Sequence, residues 1–186
     1  MGRRFRNVIS AQLLVSAVCV ATALADQTVV YQNGNSGYAG EVDTEVGALY
    51  PDYFRNDGGM DTVYCGGGSD HQILLRFDGI PVGATIASAT LTLQTGTGAG
   101  SGTGDPFYRM LMSWSNTATY NSLGNGVQSN GVEASSVASF QAPSIVNSGP
   151  ISFDVTADVQ AWANGQANYG WVVKDRRINN CRDHAI

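Results

Sequence analysis

Apolar and polar residues alternate along residues 73–93, and this alternation predicts two β-strands joined by a turn. A period of two places alternate side chains on opposite faces of a strand. The first run, 73–77, is apolar on both faces, which favours a central strand. Pro81 lacks an amide hydrogen and Gly83 tolerates a positive φ, so the turn is predicted between the two runs. The second run places three apolar residues on one face, namely Ala89, Leu91 and Leu93.

The rest of the chain repeats this pattern of short strands and Gly-rich or Asn-Gly turns. Further strands are predicted at 29–31, 62–65, 107–114, 151–155 and 169–174. One short helix is predicted to begin at a Thr156 cap, to bury Val159 and Trp162, and to end at Asn164 and Gly165. Many short strands without a βαβ rhythm indicate an all-β fold, an antiparallel, jelly-roll-like β-sandwich with one short helix.

The first 25 residues have the features of a secretory signal peptide. Arg3 and Arg4 give a basic start, residues 8–24 form an apolar run, and Ala23 and Ala25 provide small residues for cleavage. The run is shorter than a full membrane span. We therefore expect a leader at 1–25, a β-sandwich module at 26–174, and a secreted or cell-surface location with no membrane attachment after cleavage.

The charge of the predicted module excludes some partners. Between Asp26 and Val173 there are 13 acidic and three basic residues, a balance of −10. Such a surface repels nucleic-acid phosphates and anionic membranes, so we expect neither as a partner. It also disfavours polyanionic polysaccharides, whereas it suits cations.

The last residues differ in character from the module. Residues 175–186 lack strand alternation and are abruptly basic, so we expect an atypical or truncated, disordered tail there. Cys65 and Cys181 remain after the predicted cleavage, and an exported chain could pair them or leave them free.

Carboxylates suggest one candidate metal site. Glu41, Asp43 and Glu45 alternate, so they share one face of a strand, while Asp57 and Asp61 flank a Gly-rich corner. Carboxylates held together can bind a cation between them, and calcium prefers oxygen ligands. The candidate ligands of a structural calcium ion are Asp43, Asp57 and Asp61. The alternative is a solvated edge face with no metal.

Aromatic residues in loops suggest a candidate ligand site. Tyr50, Tyr53 and Tyr120 lie in predicted loops, where their rings could stack on sugars or pack locally. The three tryptophans lie on apolar faces of regular elements and are expected in the core; they are Trp114, Trp162 and Trp171.

A catalytic constellation does not stand out. His71 is the only histidine between residues 26 and 174, and the sequence lacks a G-x-S-x-G elbow. One histidine and one cysteine in the module cannot form a zinc site without carboxylates. We expect no enzyme activity. The alternative is a polysaccharide-degrading domain, a glycoside hydrolase or lyase, because a glycosidase needs only two carboxyl groups and the module has many.

The ordered motifs resemble the DNRLRE-domain family of bacterial and archaeal extracellular modules. They cover most of the predicted module in the family's order, with LLRFDGIPVGATIASATLTL (74–93) the most specific. The other matching stretches are NGNSGYAGEVDT (33–44), RMLMSWSNTATYNSLGNGVQSNGVEAS (109–135) and SFDVTADVQAWANGQANYGW (152–171).

This resemblance implies a carbohydrate-binding-module-like jelly roll, typically a non-catalytic part of a secreted or surface protein. The expected function is binding of extracellular polysaccharide or a structural or adhesion role. Two departures from the family pattern stand out. Asn116 replaces a commonly acidic residue, and 175–186 lacks the family's closing strand.

Overall fold

The computed structural model describes residues 11–18, 27–54, 71–95, 104–143 and 149–174. Within these ranges it contains nine strands, one α-helix and one 3₁₀ turn, Asn35–Gly37. The strands are β1 Ala11–Val18, β2 Gln27–Tyr31, β3 Glu41–Gly47, β4 His71–Phe77, β5 Thr85–Thr95, β6 Pro106–Arg109, β7 Phe140–Gln141, β8 Gly149–Asp154 and β9 Trp171–Lys174. The helix α1 spans Thr156–Ala163 and lies between β8 and β9 in the chain.

The strands form two antiparallel sheets. The first has the order β2-β1-β5-β8 and the second the order β3-β4-β9-β6-β7. Every strand pair in the described ranges is antiparallel. The predicted all-β sandwich with one short helix is therefore confirmed, and so are the interior positions of β4 and β5.

The main core lies between the two sheets. The three residues predicted to face inward from β5 are buried: Ala89 is 1% exposed, Leu91 0% and Leu93 7%. They pack against Leu75 of β4 and Trp171 of β9 in one continuous cluster. The period-two pattern alone identified these positions, because one face of each strand packs against the opposite sheet.

The second sheet is buried on its outer face as well. Val46, Leu74 and Val172 project away from the main core and form a second cluster with residues of the long segment 110–139. Part of that segment, including Met110, Trp114, Leu123 and Val127, therefore covers the sheet like a third layer. This explains why the sequence of β4 is apolar on both faces.

Two local predictions differ from the structure. The strand predicted at 107–114 ends at Arg109, and Met110 makes an isolated bridge with Ala134. Thr156 is the first helical residue and not the cap. Its hydroxyl accepts a hydrogen bond from the amide of Ala89 instead (2.9 Å), and its own amide donates to Asp154 Oδ1 (2.9 Å).

The helix α1 continues the first sheet where β8 stops pairing. In addition to the contact between Thr156 and Ala89, α1 contacts β5 through Gln160. The amide of Ile86 donates to Gln160 Oε1 (2.7 Å), and Gln160 Nε2 donates to the Ala84 carbonyl just before β5 (3.1 Å). The β8 register covers Thr90 to Thr95 of β5. Side chains of α1 thus satisfy part of the β5 edge that β8 leaves unpaired.

The strand β1 falls inside the predicted leader, and it lies between β2 and β5 in the first sheet. The leader itself stays a prediction. The strand predicted at 62–65, the cysteines Cys65 and Cys181, and the tail 175–186 lie outside the described residues.

Candidate functional site

The candidate site begins at the turn that follows β3. Tyr50-Pro51-Asp52-Tyr53 forms a β-turn in which the Tyr53 amide donates to the Tyr50 carbonyl (2.9 Å). Proline suits the second position of such a turn because its φ is already fixed there. The turn carries both tyrosine rings into solvent: Tyr50 is 66% exposed and Tyr53 63%, and the preceding Leu49 is 60% exposed.

A second loop docks on this turn through Asn121. The Asn121 amide donates to the Pro51 carbonyl (2.9 Å), and Asn121 Nδ2 donates to Asp52 Oδ1 (2.8 Å). The second bond joins residues 69 positions apart in the chain. Together the two bonds bring the Tyr50–Tyr53 turn next to the loop that contains Tyr120, so the three predicted ligand residues lie on two loops that contact each other.

Tyr120 differs from the other two tyrosines because its ring is half-buried. It packs against the second cluster, and a Cβ built on Gly126 would come within 2.6 Å of its ring. Gly126 has φ +76, a conformation that favours glycine for a second, independent reason. The Tyr120 ring therefore packs between its loop and the second cluster, and the exposed aromatic surface is formed by Tyr50 and Tyr53.

The loop that carries Asn121 is braced by its own side chains. Thr119 and Ser122 bond reciprocally, since the Thr119 amide donates to Ser122 Oγ (2.8 Å) and the Ser122 amide donates to Thr119 Oγ1 (3.1 Å). Leu123, the next residue, is 7% exposed and anchors the loop in the second cluster. Such bracing lowers the entropy that a binding partner would have to remove.

Deeper in the protein, Gln72 fixes the other end of this loop to β4. Gln72 is fully buried, and its side chain accepts from the Val127 amide (2.7 Å) and donates to the Val127 carbonyl (3.2 Å). The Lys174 ammonium donates to the same carbonyl (2.7 Å). The loop between residues 119 and 127 is thus tied at one end to the tyrosine turn and at the other to the sheet.

Of the three predicted metal ligands, Asp43 lies in the described residues. Asp43 lies on β3 opposite Leu75, so it shares the inner face of that strand with Glu41 and Glu45. Glu45 Oε1 lies 3.3 Å from His71 Nδ1. Asp57 and Asp61 lie outside the described residues.

A row of inward-pointing carboxylates at a sheet edge has a structural use, because it discourages pairing with another strand. Within the described ranges, no group of three or more His, Cys, Asp or Glu side chains is arranged to hold a metal ion. The calcium site at Asp43, Asp57 and Asp61 stays a prediction.

One buried carboxylate, Asp158 of α1, was not singled out by the sequence. Trp171 Nε1 donates to Asp158 Oδ2 (2.6 Å), and Arg109 Nη1 lies 3.7 Å from Asp158 Oδ1. Both carboxylate oxygens therefore face donors of the protein itself. The contact attaches α1 to β9 and β6, which is a structural role.

The chemistry around the turn consists of two exposed rings beside the side chains of Asp52 and Asn121. Both of these polar residues are exposed, and they can exchange hydrogen bonds with hydroxyl groups of a ligand. The sequence singled out Tyr50 and Tyr53 as candidates, whereas Asp52 and Asn121 enter the candidate site only through the contacts in the structure. The Pro51-Asp52 turn signal was the available clue to the first; nothing local indicated the second.

Comparisons with known proteins returned no match, whether with family models, curated proteins or solved structures. The resemblance to the DNRLRE-domain family therefore stays a prediction. In the part of the chain that the structure describes, no helix has the length and apolar character needed to cross a membrane.

Proposed function

We propose that this protein is a secreted, non-catalytic module that binds extracellular polysaccharide through the Tyr50–Tyr53 turn. The observation that supports it most directly is the pair of exposed rings on one turn, with Tyr50 66% and Tyr53 63% exposed. Large aromatic side chains usually bury much of their area. Two exposed rings on a braced turn are a stronger indication of a binding surface than scattered single residues.

Sugar rings suit such a surface for a physical reason. One face of a pyranose presents mainly C–H groups, which pack against an aromatic ring, while the hydroxyls at its rim need hydrogen-bond partners. Tyr50 and Tyr53 provide the rings, and Asp52 with Asn121 provides polar groups beside them. The acidic balance of the module disfavours uronate polymers, so the proposed ligand is a neutral or amino-bearing polysaccharide.

The test is a glycan array, followed by calorimetric titration with the best ligand. We expect Tyr50→Ala and Tyr53→Ala each to weaken binding by about 1–2 kcal/mol, roughly five- to thirtyfold, with unchanged melting temperature. The matched control is Val137→Ala, which removes an exposed apolar side chain (73% exposed) from another loop. Absence of any glycan ligand, or equal binding by all three variants, would contradict the proposal.

The same samples distinguish the other functions. Release of shorter or unsaturated sugars from a bound polysaccharide would support the polysaccharide-degrading alternative. If neither binding nor turnover is observed, the result supports a structural or adhesion role without a sugar ligand.

A further inference from the structure

The strand β1 occupies a position that export would vacate. It lies between β2 and β5, antiparallel to both, and its Leu13 and Val15 side chains are 0% and 2% exposed. Cleavage after Ala25, as the sequence predicts, would remove all of β1 from the exported chain. The two neighbouring strands would then face an empty position in the first sheet.

The loss would fall on one specific edge of β5. β1 pairs with β5 from Thr85 to Leu93. The opposite edge of β5 is already satisfied, by β8 over Thr90 to Thr95 and by side chains of α1 near Ile86 and Ala89. Removing β1 therefore exposes a long row of backbone donors and acceptors, together with the apolar side chains that Leu13 and Val15 had covered.

The remaining strand β2 is poorly placed to close the gap. Its last residue is anchored elsewhere: Tyr31 Oη donates to the Gly79 carbonyl (3.2 Å), and its ring packs edge-on against Tyr38 at 5.3 Å between centroids. Reaching β5 would require β2 to move by one strand spacing, about 4.8 Å. Because both strands are antiparallel to β1, they would also have to pair in parallel, with a different hydrogen-bond pattern.

We propose that leader removal opens a strand-acceptor slot between β2 and β5, and that its occupant is an extended segment of another polypeptide. The inference rests on the proposed export. The structure shows what fits, because Ala11–Val18 sits in the slot with a register to both walls. The occupant runs antiparallel to β5 and carries branched aliphatic residues at two positions two apart, as Leu13 and Val15 do.

The walls define these two positions. The Leu13 position lies between Tyr31 and Leu91, and the Val15 position lies between Val29 and Ala89. The described strands after β1 all have places in the two sheets, so none of them is available to fill the slot. This favours a donor in another chain.

The test starts from the full chain, with a specific protease site introduced within residues 19–25. The chain is folded first and then cut, and a fluorescent peptide with the β1 sequence AQLLVSAV is added. We expect saturable binding and restored amide protection over Thr85 to Leu93. A control peptide with Leu13→Asp and Val15→Asp should bind more than about tenfold more weakly, because it would bury two carboxylates.

Each outcome of the peptide test supports or contradicts the strand-acceptor slot. If the cut chain keeps its amide protection after β1 is washed away and binds no peptide, the slot has closed and the proposal is wrong. If the cut chain unfolds, the β1 peptide must restore the fold, and failure to do so overturns the proposal equally. Concentration-dependent self-association that excludes the peptide would show that a second copy is the occupant and would also overturn it.

An intact-mass measurement on the exported protein separates this inference from the proposed function. A mass that begins at Asp26 confirms that β1 is absent. A mass that still includes β1 refutes the slot, while glycan binding at Tyr50 and Tyr53 can be measured on the same sample and stands or falls by itself.

Discussion

Gln72 binds both main-chain polar groups of Val127, accepting from its amide at 2.7 Å and donating to its carbonyl at 3.2 Å. The Gln72 side chain on β4 thus provides the loop backbone with a donor and an acceptor, as a neighbouring strand would provide at a sheet edge. It satisfies buried backbone groups that have no ladder to join.

Replacement of Gln72 tests this attachment. Gln72→Met keeps most of the side-chain volume but leaves the Val127 amide without its acceptor, while Lys174 still donates to the carbonyl. We expect the free energy of unfolding to fall by about 1–3 kcal/mol in urea denaturation. The control is Gln166→Met, at an exposed position after α1. An equal effect of the two variants would show that the buried bonds are not the cause.

Leu91 tests the main core. It is fully buried on β5, so Leu91→Ala removes apolar contacts and leaves a cavity. We expect a loss of about 2–5 kcal/mol of unfolding free energy. Ser88→Ala on the exposed face of the same strand is the matched control and should change stability little. A loss below about 1 kcal/mol for Leu91→Ala would contradict its placement in the core.

The raised pKa of Tyr38 predicts that the folded protein loses stability at alkaline pH. Burial, followed by the nearby charges of Asp78 and Glu41, raises the pKa of Tyr38 above its ordinary value. Burial also raises the pKa of Tyr31. The folded state therefore keeps phenolic protons that the unfolded chain releases near pH 10, so the stabilisation is complete below that pH and declines above it.

The measurement is the unfolding free energy of the parent and of Tyr38→Phe between pH 7 and about pH 12. The variant loses the hydrogen bond to the Asp78 carbonyl (3.0 Å) at every pH, so its baseline at pH 7 is subtracted. We expect a shallower alkaline decline in the variant. Identical slopes would exclude Tyr38 as a source of the pH dependence.

Calcium is tested through Asp43. If the ion binds as the sequence predicts, a calcium concentration 100 times the dissociation constant raises the unfolding free energy by about 2.7 kcal/mol, and a chelator reverses the effect. Asp43→Asn should abolish the response. Glu133→Gln removes one charge from the covering segment and should preserve the response. No heat on titration and no change in melting temperature would refute the site.

The sequence predicted the strands whose burial has a simple period. Leu91 and its neighbours could be identified because one face of β5 packs against a sheet and the other does not. The buried positions of the covering segment were harder to predict, because residues such as Leu123 and Val127 are apolar anchors at irregular spacing in a polar stretch. Irregular loops bury residues according to the surface they cover, which no local period records.

The candidate site was predicted only in part for a similar reason. Exposed Tyr50 and Tyr53 follow from a Pro-containing turn, which is a local signal. The half-burial of Tyr120 depends on its contact with Gly126, and the bond from Asn121 to Asp52 joins residues 69 positions apart. Such pairings arise from the tertiary fold. The same limit applies to β1, whose apolar run suits both a leader and a buried strand.

The position of the Tyr50–Tyr53 turn directly after β3 has a mechanical consequence. A force pulling on this turn along the axis of β3 loads the hydrogen bonds to β4 in shear, because those bonds run perpendicular to the strands. Seven residue pairs from Glu41↔Phe77 to Gly47↔His71 then resist together. A load applied across the strands would instead open the same pairs one after another, at a much lower force. The turn is therefore attached to a strand that resists tension along its axis through all seven pairs at once.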